Sequence, residues 1–244
     1  MKVLPVSFSQ PITNQRQVST NMSSRKTALK SQHDNVTFTC YQNSLALGVH
    51  TILNHENQAE KFFDMIFTDL LKASYLKSSD KLDEIAKLHK SKGMFGVLTE
   101  FWRPVSNNSV IKELVKKAEE KNVILARTKE NKPLLEVHNW GRNGFWNALT
   151  DNADATRDVR LVFNYPNTVS SVEFGLDKKG RLNVLQYKNG SAVFTKFHRS
   201  TGHRMQQTFH SDTGNPEVYY YNKDGSKNWF KNWIQGGTII PSMW

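Results

Sequence analysis

Residues 209–233 read "FHSDTGNPEVYYYNKDGSKNWFKNW". Twice in this stretch an aromatic leads into a polar turn, then a glycine, then a second apolar or aromatic run. Three more turns of the same kind precede it. Glycines at 180, 190, 202, 214 and 225 stand 10, 12, 12 and 11 residues apart, each in a polar setting such as "YKNGSA" or "NKDGSK". Asn-Gly and Asp-Gly suit tight hairpin turns, because both central residues take positive φ at little steric cost. Between the turns the residues alternate. Val193, Thr195 and Phe197 oppose Phe194, Lys196 and His198; Val218 and Tyr220 oppose Tyr219 and Tyr221. A period of two is that of a strand with one face covered. The last third therefore reads as an antiparallel meander of five or six consecutive strands, with strand and turn from Val159 to the end.

Pairs of strands make units of 22 to 24 residues, with Phe174, Tyr187, Phe197, Phe209 and Tyr220 or Tyr221 leading into the turns. Over Val172–Trp233 this pattern resembles the MORN-type repeat family, and within it a divergent bacterial branch that includes antitoxin components. It lacks that family's inner Gly-x-Gly. The resemblance implies an elongated antiparallel sheet that serves protein or membrane contacts, usually without catalysis of its own.

Upstream the period changes. In "QAEKFFDMIFTDLLKAS", residues 58–74, Phe62, Met65, Ile66, Leu70 and Ala73 form one helical stripe, with Asn57 as a cap. Leu82, Ile85, Ala86 and Leu88 mark a second helix that Gly93 ends; "MFGVLTEFW" is ambiguous and Pro104 closes it. Val110, Ile111, Leu114, Val115 and Ala118 give a third helix opening at Asn108 or Ser109. "VILART" and "PLLEVHNW" flank the turn-like "KENK" as a hairpin. The expected fold class is α+β: an N-terminal helical layer packed on a C-terminal twisted antiparallel β-meander. Residues 1–40, of which 18 are Ser, Thr, Asn or Gln, are expected to be a disordered polar tail, with "NVTFTC" a short strand at its end. Residues 41–150 form the helical region with its hairpin, residues 151–244 the repeat sheet, and 41–244 one folded unit.

The chain has 244 residues and a net charge of +11, spread as +3, +4 and +4 over residues 1–57, 58–150 and 151–244. No block of basic residues marks a nucleic-acid arm, so nucleic acid and anionic membrane rank behind a protein as the expected partner. No run approaches a membrane span, and the N-terminal apolar patch is too short for a secretory signal. A cytoplasmic protein is expected, or one exported without a cleaved signal peptide.

Chemistry-bearing patterns are sparse. Cys40 is the only cysteine and reads as packing. His198 and His210, 12 residues apart with His203 between them, fall short of a zinc ligand set, so neither metal nor cofactor is expected. Asp83–Glu84 and Glu119–Glu120 are adjacent on helices and diverge. His138, Trp140, Arg142 and Trp146 crowd into nine residues. They read either as a bend with its tryptophans in the core or as a ligand or anion site at His138, Trp140 and Arg142. No catalytic residue is assigned. The expected partner surface is an exposed sheet face carrying Phe194, Lys196, His198, His210, Tyr219, Tyr221 and Phe230, in a non-enzymatic interaction module of bacterial effector or antitoxin type. The alternatives are a hydrolase or transferase with its site near His138 and Arg142, and binding of nucleic acid or anionic lipid through the basic surface.

Overall fold

The computed structural model describes residues 41, 43–45, 59–73, 76–103, 106–142, 158–211 and 214–234. The expected polar tail lies outside these residues, as do Asn57, Pro104 and Trp146.

Nine strands form one antiparallel sheet in strict chain order: β1 (Lys77–Ser78), β2 (Val123–Arg127), β3 (Pro133–Asn139), β4 (Val159–Asn164), β5 (Ser170–Leu176), β6 (Leu182–Lys188), β7 (Ser191–Phe197), β8 (Arg204–Ser211) and β9 (Gly214–Tyr220). The meander is thus longer than its glycine-marked part. The hairpin β2–β3 is its upstream continuation, joined to β4 through pairs such as Val137 with Leu161. The β6–β7 connection is the two-residue Asn-Gly turn expected, with φ of 48° at Asn189 and 86° at Gly190. Gly214 differs from the other four glycines: it is the first residue of β9.

Among the described residues, the helices on one face include α1 (Ala59–Leu71), α2 (Asp80–Trp102) and α3 (Ser109–Glu120). The apolar stripe of α1 buries Phe62, Phe63, Ile66, Phe67 and Leu70, each contributing about 1.5–3 kcal/mol. Phe63 stands edge-on to Phe163 and Phe174, with ring centroids 5.4 and 5.0 Å away, the geometry that aromatic quadrupoles favour. Asn108 caps α3 by accepting from the Ile111 N–H at 3.1 Å.

Gly93 was expected to end the second helix. Instead it bends it, with φ 65° and ψ −172°, and a further helical stretch runs to Trp102. The ambiguous "MFGVLTEFW" is this stretch, and it buries Met94, Val97, Leu98 and Phe101. The expectation of strand and turn to the end also fails at Trp229–Ile234, which forms a short helix, α4. Asn228 starts it by accepting from the Lys231 N–H at 2.9 Å, a local bond that competes with a strand ladder.

The helical layer and the sheet share one core, which takes in Val137, Leu161, Phe163, Val172, Phe174, Leu176, Leu182, Val184 and Phe197 from the strands. The helices therefore cover the face carrying Phe197 and Thr195. A second, smaller cluster of Trp140, Leu185, Ala192 and Phe194 lies on the other face.

Candidate functional site

The register divides the expected partner residues between two faces and a helix. Phe194 pairs with Thr208 and Thr208 with Val218, whereas Thr195 pairs with Gln207 and Gln207 with Tyr219. Tyr219 and Tyr221 thus face the side opposite to Phe194 and Lys196. The expectation of a single exposed face is corrected further by burial. Phe194 is 2% exposed, against Trp140 at 6.5 Å between ring centroids. Lys196 is 4% exposed, with its ammonium 5.8 Å from the Phe194 ring. Tyr221 is buried, its hydroxyl donating to Gln207 Oε1 at 2.8 Å and its ring 4.5 Å beneath the Arg204 guanidinium. Phe194 and Lys196 are interior groups because the face away from the helices holds its own packed cluster, whereas Tyr221 is buried on the opposite face by Gln207 and Arg204. His198, His210 and Tyr219 are half-buried, and Tyr219 stands edge-on to Phe209 at 5.7 Å.

Phe230 is the member that does lie at the surface, on α4. None of that helix is buried: Trp229, Phe230, Trp233 and Ile234 are 58–73% exposed, and the two indoles stack at 6.0 Å. What holds α4 in place is polar. Asn232 accepts from the Tyr220 N–H at 2.8 Å and donates to the Tyr220 carbonyl at 3.1 Å, while the Asn228 N–H also donates to that carbonyl at 2.8 Å. Asn232 so occupies the outer edge of β9 where a further strand would pair, a common way to blunt a sheet edge. Lys227 and Lys231 stand 5.5 and 5.7 Å from the Tyr219 and Tyr220 rings and flank the aromatic surface.

The second region surrounds His138. Trp140 and Arg142 form the ends of a 3₁₀ turn after β3; the Arg142 side chain lies outside the description. Trp140 is buried, and the guanidinium of Arg160 lies 3.5 Å from its ring centroid. On its other side Arg160 lies against Gly175, where a Cβ would stand 2.9 Å from Cζ, so only glycine leaves the space. Arg160 and Asp158 are fully buried and pair at 3.2 Å. Glu136, Val162 and Glu173 follow one another across three strands, which puts the two glutamates on one face about 10 Å apart at Cα. His138 Nε2 is 3.4 Å from Glu136 Oε2, and Asn164 donates to Glu136 Oε1 at 2.6 Å.

The two carboxyls differ in proton affinity. Burial pushes Glu173 above the ordinary carboxylate range, against the charges of His138 and Arg160 and a hydrogen bond from Trp140. Burial also acts to raise Glu136, but the hydrogen bond and charge of His138, helped by Asn164 and Arg127, outweigh it and hold Glu136 low. Arg160 Nε and Nη1, Asp158 Oδ1, Glu173 Oε2 and both amide atoms of Asn183 are buried without a hydrogen-bond partner among the described residues. Of this group the sequence pointed only to His138 and Trp140. Arg160, Glu173 and Asn183 carried no local signal, since strand register alone brings them together.

Among the described residues no cluster of His, Cys, Asp and Glu is arranged to hold a metal ion, and no helix is long and apolar enough to cross a membrane. Comparison with known proteins finds no matching family model, no matching curated protein and no matching solved structure.

Proposed function

We propose that this chain is a protein-interaction module whose docking surface is α4 with the adjoining end of β9. The observation that carries this reading is the exposure of Trp229, Phe230, Trp233 and Ile234 on a helix with no buried face. Aromatic side chains of this kind supply most of the energy at protein interfaces when a partner desolvates them. Lys223, Lys227 and Lys231 are exposed around them, so the partner we infer has an apolar groove with an acidic rim. Because Asn232 caps the β9 edge, docking proceeds through side chains rather than by addition of a strand. The MORN-type resemblance points to the same kind of use, in a bacterial effector or antitoxin-like setting.

A photo-crosslinking side chain in place of Phe230, in the full chain in its own cells, tests the proposal. A discrete protein adduct is expected there and none from Lys116 on the wet side of α3. The isolated partner should bind the purified chain at least tenfold more weakly after W229S/W233S. Equal adducts at both positions, or adducts to lipid alone, overturn the reading; the latter assigns the helix to a membrane surface.

A second reading has its own observation: Glu136 and Glu173 share a face, with one carboxyl held low and the other raised. Such a pair suits a base and an acid in a hydrolytic reaction, with His138 beside the base. Turnover of an ester, amide, glycoside or phosphate substrate that H138A and E173Q both remove supports it; absence of turnover across these classes dismisses it.

A further inference from the structure

We propose that the cleft between the second half of α2 and the turns following β5 and β7 binds a nucleotide unit, its phosphate held by Lys179 and Arg199 and its base against Phe95 and Trp102. The cleft has two lobes, of about 510 and 260 Å³, which share Phe95, Gly180 and Arg199. The larger is within the range of small-molecule sites.

One wall is helical. Phe95, Thr99 and Trp102 stand at i, i+4 and i+7, so they form one stripe on α2, two aromatics with a hydroxyl between them. This stripe exists because α2 bends at Gly93 and continues. Phe95 is 42% exposed although it belongs to the layer that builds the core, so its ring has a free face. Flat π-systems stack on such rings regardless of base identity.

The other wall is basic. The turn after β5 is closed by the Gly180 N–H donating to the Asp177 carbonyl at 2.8 Å, and it presents Lys178 and Lys179. The acid beside them is already engaged: Asp177 accepts from the Lys179 and Arg181 backbone N–H groups at 2.9 Å and from Arg181 Nε at 2.6 Å. Lys179 and Arg199 therefore have no carboxylate partner among the described residues. Arg199 lies over this turn, its Nη1 3.9 Å from where a Cβ at Gly180 would be. Unpaired cations beside a free aromatic face match a ligand that is anionic at one end and flat at the other. The acid lining the cleft, Glu60, belongs to the smaller lobe alone. His198 also lines that lobe.

This inference is independent of the docking role of α4. It is tested with the purified full chain and a fluorescent ADP analogue, followed by anisotropy and by competition with unlabelled ADP. We expect saturable binding that ADP displaces, that weakens as salt is added, and that falls at least tenfold in R199Q/K179Q and in F95S. These are surface positions, and an unchanged thermal midpoint shows that the variants fold. W229S/W233S should bind as the parent does. Octathymidine competing at least tenfold better than ADP assigns the nucleotide unit to a single strand; ADP competing as well or better assigns it to a free nucleotide. Absence of saturable binding, unaltered affinity in both variants, or inorganic phosphate competing as well as ADP overturns the proposal.

Discussion

Glu173 is the residue through which the far face of the sheet speaks most directly to solution conditions. Its ordinary value is 4.5, and burial raises it in the folded chain. Between those two values the native state keeps a proton that the unfolded state releases, so stability falls as pH climbs through the window and is level above it. Glutamine fills nearly the same space and cannot ionise. Urea midpoints measured from pH 4 to 8 should therefore shift in favour of E173Q, relative to the parent, as pH rises. A difference that stays constant with pH would show that this carboxyl is not held in its neutral form. The neighbouring Arg160 explains why none of this was legible in the sequence. It stands among the apolar residues of "VRLVFN" and looks like an outward strand residue. Only the pairing of three strands puts Trp140 above it and Gly175 below.

At the scale of elements, local rules read well where a single period runs uninterrupted. The stripes of α1 and α3, the Asn108 cap and the Asn-Gly turn between β6 and β7 all lie where residue spacing and turn chemistry put them. Reading failed where one residue interrupts a period without ending the element. Gly93 looked like a stop, yet its conformation redirects the chain so that Met94, Val97 and Phe101 reach the core. That conformation belongs to a region essentially confined to glycine, so G93A should cost about 1–3 kcal/mol in urea unfolding. A neutral substitution would mean that the bend is not needed for the second half of α2 to dock. α4 was missed for a related reason. In "NWFKNW" the aromatics are too close for a two-residue alternation, and the helix is set by the Asn228 and Asn232 side chains rather than by a buried stripe.

For the whole molecule, the sequence made the layered α+β plan and the hairpin succession legible, but it did not say where the meander starts or which face the helices cover. Both depend on long-range pairing: the join of β3 to β4 bridges residues 140–158, and the covered face is chosen by which strands meet Phe62, Phe63 and Phe67. The docking role proposed for α4 makes a prediction at this scale. Since no residue of the helix is buried and both indoles are mostly exposed, W229S/W233S should leave the unfolding free energy within about 0.5 kcal/mol of the parent. A larger loss in calorimetry or urea titration would show that the indoles hold the fold together instead of awaiting a partner.

Every strand of the sheet lies beside the one synthesised just before it. A ribosome would therefore deliver each hairpin to an edge that is already waiting, with no strand needing to thread between two others. Growth of this kind has a direction, and the last rim it reaches is the one bearing the aromatic helix.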